Sequence, residues 1–229
     1  MPSSALRPLT VLARTVALAL LALRVADAQS AAFATIVGKD TISLERYVRG
    51  DRTIEGDWIT LQGETLVHHY IISLGADGRP DHVLLTLRNP GRPVRGTFDA
   101  AFGTDTVTII ATRDSGAVRK IAAREAFPFL GGTIAMLEAA TTRIRSDRRD
   151  SATVVAVPLT GPYAARRVPI VFFGRDSARL GNLQAAVLFA VDSAGRIQGL
   201  DANAPQGRAV TRRVPLLDLS AYGITAPPP

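Results

Sequence analysis

The sequence predicts a mainly β fold of the α+β type: an antiparallel curved sheet or half-barrel built from hairpins, with one main amphipathic helix packed on it. Three observations lead there. Short runs of alternating or β-branched apolar residues, separated by Gly, Asp, Asn and Ser, recur along most of the chain. A single stretch, after Gly131-Gly132, has helical spacing instead. The 229 residues are 47% hydrophobic and 21% charged, enough apolar material for a buried core and too little charge for a disordered chain. One domain is expected over 29–222, since all-β units of this size commonly fold as one.

Residues 1–28 read as a secretory signal. Arg7 and Arg14 precede the nine-residue apolar run Thr15 to Leu23, and Ala26-Asp27-Ala28 offers small residues for cleavage, so Gln29 is the expected mature start. Nine residues are too few to cross a bilayer, which needs about 20. The chain has no cysteine, so there is no lipidation site, and no paired arginines precede the apolar run. The expected location is periplasmic or extracellular, by a Sec-type route, and not as a lipoprotein.

The mature chain then opens with Phe33 to Val37 and Thr41 to Val48 around Gly38-Lys39-Asp40, the first hairpin. Thr53 to Leu61 is strand-like and carries Trp58, the single tryptophan. Glu64 to Leu74 and His82 to Arg88 flank Asp77-Gly78; Thr106 to Arg113 and Ala117 to Arg124 flank Asp114-Ser115-Gly116. Thr133 is positioned to cap a helix in which Ile134, Leu137 and Ile144 share one face and Glu138, Arg143 and Arg145 the other. Strands resume at Ala152 to Val157 and Val168 to Gly174, and a fourth hairpin joins Gln184 to Val191 and Arg196 to Leu200 across Asp192 to Gly195. Parallel pairing needs helical crossovers, which this pattern lacks. Gly223 to Pro229, ending in three prolines, reads as a frayed or extended tail.

With Asp77-Gly78 at the centre of its turn, one hairpin places Tyr70 opposite Leu85, Ile72 opposite Val83 and His68 opposite Leu87. That face is apolar. The simplest role for it, and for Phe33, Phe98, Phe102, Phe172, Phe173 and Phe189, is to fill a core. A curved sheet under a helix has a second use, enclosing a greasy cavity. On that reading Trp58, His68, Tyr70, Ile72, Val83, Leu85, Leu87, Ile134 and Leu137 are the candidate ligand-binding residues.

A signal peptide, about 200 mature residues of antiparallel strands and one helix as a lid resemble the LolA-like periplasmic half-barrels, which carry lipoproteins or lipids. The resemblance is architectural and implies a lipid-like ligand without assigning residues to it. GKDTISLERYVRGDRTIEGD (38–57) and VDSAGRIQGLDANAPQGRAVTR (191–212) are also similar to segments of uncharacterised exported proteins from arginine-rich bacterial proteomes.

Motifs for chemistry are sparse. Without cysteine there are no disulfides, thiol nucleophiles or thiolate metal sites. His68 and His69 are adjacent and point to opposite faces of a strand; His69 and His82 share a face about 13 Å apart, too far for one ion. No G-x-S-x-G string occurs, and Ser73, His82 and Asp81 read as turn residues before they read as a triad. Asp105, Asp114, Asp192 and Asp201 are turn aspartates, Gly38-Lys39 lacks the P-loop context, and Arg49-Gly50-Asp51 reads as a chance tripeptide. No catalytic residue, cofactor or metal is assigned. Of 27 Lys and Arg only Lys39 and Lys120 are lysines, a composition bias that gives no expectation of nucleic acid. Removing residues 1–28 takes away Arg7, Arg14, Arg24 and Asp27, leaving 24 basic against 19 acidic residues, net +5. Clusters at Arg143, Arg145, Arg148 and Arg149, at Arg166-Arg167 and at Arg212-Arg213 suit an anionic membrane surface or an envelope protein, or serve only solubility. The function expected is binding of an apolar or amphiphilic ligand. The alternatives are an envelope interaction module with a solid core and a hydrolase with an unrecognised site.

Overall fold

Alternation of apolar and polar residues is carried through into one large sheet. The computed structural model describes residues 29–112, 116–181, 186–204, 207–215 and 217–224, so the expected signal peptide lies outside the described residues. Eight strands run consecutively: β1 (Gln29–Val37), β2 (Asp40–Arg49), β3 (Thr53–Thr60), β4 (Leu66–Leu74), β5 (Pro80–Arg88), β6 (Val94–Phe102), β7 (Thr106–Ala111) and β8 (Ala117–Ala122). Then come β9 (Ala126–Phe129), the helix α1 (Ile134–Ser146), β10 (Ser151–Pro158), β11 (Arg166–Phe173), β12 (Ser177–Leu180), β13 (Val187–Val191), β14 (Ile197–Ala204) and β15 (Gly207–Arg213).

The 15 strands form one mostly antiparallel sheet in the order β8-β7-β6-β5-β4-β3-β2-β1-β15-β14-β13-β12-β11-β10-β9. Each half is a meander of neighbours in sequence, and the halves meet at a β1–β15 seam. The edge strands β8 and β9 are joined by residues 123–125 alone. Four Cα steps span at most about 14 Å, so the sheet rolls until its two edges lie that close. One pair departs from the expected antiparallel rule: β9 and β10 are parallel, and α1 is the crossover between them.

The register of the β4–β5 hairpin is the expected one, with His68 opposite Leu87, Tyr70 opposite Leu85 and Ile72 opposite Val83, although the turn centres on Ala76-Asp77 and a bulge between Ser73 and Leu74 makes up the difference. These side chains face inward with Phe33, Phe98, Ala100, Ile109 and others to make the main core. Phe102, Phe172 and Phe189 join them, whereas Phe173 points outward and is 47% exposed. A second, smaller core covers the outer face, where Ile59 and Val67 receive Leu219 and Ile224 from the C-terminal segment. Arg88 fixes that segment by donating from Nη1 to the Tyr222 carbonyl at 3.1 Å and from Nη2 to that of Gly223 at 3.2 Å. Gly223 and Ile224, the first residues of the expected tail, are thus docked, and the prolines beyond lie outside the described residues.

The helix differs from its expected amphipathic form. Ile134, Ala135, Met136, Glu138, Ala139, Ala140, Thr141 and Ile144 are all buried, and at 100° per residue they surround the helix. Glu138, expected on a solvated face, is 5% exposed. The reason is position: α1 runs along the inside of the rolled sheet and is covered on all sides but its last turn, so it is no lid with one wet face.

Candidate functional site

The rolled sheet leaves a cavity of about 470 Å³ between the N-terminal half of α1 and the inner faces of both halves of the sheet. Two walls differ in chemistry. Phe127, Ile134, Met136, Leu137, Val154, Val168, Ile170, Leu180, Val187 and Leu200 form a hydrocarbon wall from α1 and β9–β14. Thr211, Thr35, Ser43 and Thr60 form the opposite wall, one each from β15, β1, β2 and β3. These four stand in register: Thr211 pairs Thr35, Thr35 pairs Ser43, and Ser43 pairs Thr60. Adjacent partners in a ladder point the same way, so the four hydroxyls make one row across four strands. No Asp, Glu, Lys, Arg or His lines the cavity among the described residues. Exposed Gln62, Phe129 and Gly131 mark where it reaches solvent. There an outer groove of about 380 Å³ continues along the same strand faces and ends at Arg166.

The helix that closes the cavity is anchored by acids. Thr133 was expected to cap α1, but its hydroxyl donates to the Leu130 carbonyl at 2.8 Å. The cap is supplied from 89 residues away: Glu45 on β2 accepts from the Ile134 N–H through Oε2 at 2.5 Å and from the Ala135 N–H through Oε1 at 3.1 Å. Tyr70 also donates to Glu45 Oε1, at 2.7 Å, crossing β3 at Gly56 to do so. A Cβ on Gly56 would stand 2.6 Å from both the Tyr70 hydroxyl and the Arg46 carbonyl, so no larger residue fits there. Burial pushes the Glu45 carboxyl up to about 7, against the opposing pull of its three donors. One turn on, Glu138 accepts from the Ile197 N–H at 2.9 Å and lies 4.0 Å from Arg49, and burial raises its carboxyl too. Thr141 completes the docking, donating to the Gly195 carbonyl at 2.7 Å.

Trp58, Ile134 and Leu137, of the residues singled out in the sequence, stand in the cavity wall. His68, Tyr70, Ile72, Val83, Leu85 and Leu87 do not; they lie in the filled half of the core, under β4 and β5. His68 packs on Trp58 with ring centroids 4.6 Å apart, and burial holds its imidazole down at about 4. Gly132, with φ of +93°, sits over the Trp58 ring, and a Cβ there would stand 2.8 Å from Cζ2. Sequence reasoning missed the hydroxyl row and the β9–β14 wall. The row becomes visible only once β15 is known to pair with β1, and that pairing joins residues 176 positions apart.

On the outer face, His69 Nδ1 meets Asp57 at 3.1 Å, and that carboxylate raises its pKa; His82 Nε2 meets Asp99 at 2.8 Å. His82 therefore has Asp99, not Asp81, as its carboxylate partner. Among the basic clusters, Arg143 pairs with Asp147, and Arg145 donates to Asp150 and stacks 3.9 Å over Phe172. These two arginines are engaged within the protein.

No family model matches this sequence, and no curated protein matches it. Solved structures do. A DUF1089 family protein from Pseudomonas aeruginosa superposes with a TM-score of 0.52 at 12% identity, over 71% of this chain and 91% of its own. A β-barrel-like protein of the domain of unknown function DUF1849 from Brucella abortus superposes with a TM-score of 0.51 at 6% identity, over 81% of this chain and 95% of its own. At such identities the likeness is one of fold, and what it establishes is a β-rich architecture shared with proteins of uncharacterised families.

Proposed function

We propose that this chain is a non-enzymatic binding protein that holds an apolar or amphiphilic, lipid-like molecule in the cavity beside α1. In this reading the rolled sheet acts as an incomplete barrel, as in the LolA-like carriers, and the protein works in the cell envelope after export and removal of residues 1–28. The observation that carries the reading is the cavity itself. Its 470 Å³ fall in the range of about 300–1,000 Å³ typical of small-molecule sites. It lies between a hydrocarbon wall and a hydroxyl row, and no ionised side chain lines it among the described residues. The likeness to a β-barrel-like protein agrees with this use of the fold.

Native mass spectrometry of protein purified without delipidation is expected to show a small-molecule adduct. The stripped protein is expected to take up the apolar dye N-phenyl-1-naphthylamine. Filling the cavity by Ala140→Phe with Ala202→Phe, both wall residues, is expected to weaken dye binding at least about tenfold. Absence of an adduct together with absence of uptake would overturn the proposal.

A further inference from the structure

We infer that the ligand is an uncharged amphiphile, an acyl or alkyl chain carrying hydroxyl or ester groups that meet the Thr211-Thr35-Ser43-Thr60 row. This inference rests on the cavity being a binding site and adds the class of molecule it selects.

The row is built, not incidental. Four strands each place one hydroxyl at the same level, about 4.8 Å apart, so the row extends about 14 Å. Ser43 and Thr211 are 7% and 3% exposed, turned in toward the cavity. Thr35 and Thr211 bond to each other at 2.9 Å, which uses one donor of two and leaves the other free. Among the described residues the side chains of Ser43 and Thr60 bond to nothing. Both line the cavity, so these hydroxyls face its space and not packed hydrocarbon, although alanine or valine would fill the same strand positions. Donors and acceptors in a row, opposite a hydrocarbon wall, match a molecule with one oxygen-bearing edge and one greasy edge.

Charge sets the second half of the selection. An ionised group drawn into the cavity would lose its hydration without meeting a counter-ion. Two residues beyond Ser43 on the same face of β2, Glu45 presents a buried carboxyl, which further disfavours an anion. The outer groove does have a cation, exposed Arg166, at its end. It offers the competing arrangement, with an anionic head held at the rim and only the tail inside.

The test is displacement of N-phenyl-1-naphthylamine from the full chain at pH 8 by 1-monooleoylglycerol and by oleate, which share one hydrocarbon chain. Monooleoylglycerol is expected to compete at least about tenfold better. Ser43→Ala with Thr60→Val should erase that preference, read as the ratio of the two lipids' inhibition constants, each corrected for the variant's own dye affinity. If the double variant does not fold, Thr60→Val alone keeps the β-branch and is expected to lose about threefold for monooleoylglycerol only. Equal binding of the two lipids, or a preference that survives loss of the hydroxyls, overturns the inference while dye uptake leaves the binding-site reading standing. A preference for oleate that Arg166→Ala abolishes overturns it in favour of a head held at the rim. If neither dye nor lipid enters, both readings fall.

Discussion

Glu45 and His68 are two buried titratable groups whose ionisations pull stability in opposite directions. Glu45 titrates at about 7 in the fold against an ordinary value of 4.5, so the folded state holds the proton more tightly. Its contribution is fully present below about 4.5 and is lost as the pH rises through about 7. His68 titrates at about 4 against 6.5, so the unfolded state binds the proton, and its contribution is lost as the pH falls from 6.5 toward 4. Each amounts to at most about 1.4 kcal/mol per pH unit within its window. Relative to the parent, Glu45→Gln is therefore expected to gain stability steadily from pH 4.5 to 7, and His68→Gln to gain as the pH drops from 6.5 to 4. Urea midpoints across pH check both, with the slope as the readout, since removing either group also shifts the baseline. Parallel pH profiles of parent and variant would show that the group does not titrate in these windows.

At the scale of elements, what was legible in the sequence was local. The β4–β5 register is the one expected from a turn at Asp77-Gly78, but it is reached differently: the Gly78 N–H donates to the Gly75 carbonyl, so Ala76-Asp77 are the central residues, and a bulge between Ser73 and Leu74 restores the pairing that sends Tyr70 and Ile72 inward. The helix was placed within a residue of its observed start, but its burial was not, because Glu138 signals a wet face unless its partner, the Ile197 N–H, is known. The parallel β9–β10 pair was missed for a related reason: short β9 is recognised as a strand through its pairing across α1. The C-terminal segment was read by its prolines, yet Leu219 and Ile224 ahead of them close the outer core. Leu219, at 1% exposure, covers Ile59 and Val67, so Leu219→Ala is expected to cost about 3 kcal/mol. That reads as a Tm lower by roughly 6–12 °C. Dye uptake at 25 °C is expected to be unchanged, because this core lies on the face of the sheet away from the cavity. A Tm within a degree or two of the parent would mean that the segment does not hold the outer face.

For the whole molecule, the decisive contact is the seam between β1 and β15, which joins two meanders into one sheet and supplies half of the hydroxyl row. Val210 pairs with Ile36 on one side and Asp201 on the other, so a proline there removes a ladder donor in the middle of the sheet. Val210→Pro is expected to abolish dye uptake and to collapse the cooperative urea transition. A variant that keeps a single sharp transition would indicate that α1, not the seam, holds the halves together.

The seam also governs the order of events during folding. Every other antiparallel pair joins strands adjacent in the sequence and can form as soon as its turn is made. Residues 35 and 211 must close a loop of 176 residues before the sheet is continuous, the kind of non-local pairing that folds slowly. Until β15 arrives, β1 offers an unpaired edge bearing Ala31, Ala32 and Phe33, a template for aggregation that a chaperone would cover. On the export route proposed above, the same delay would serve the chain, since a partly synthesised copy has no finished sheet to jam a translocation channel.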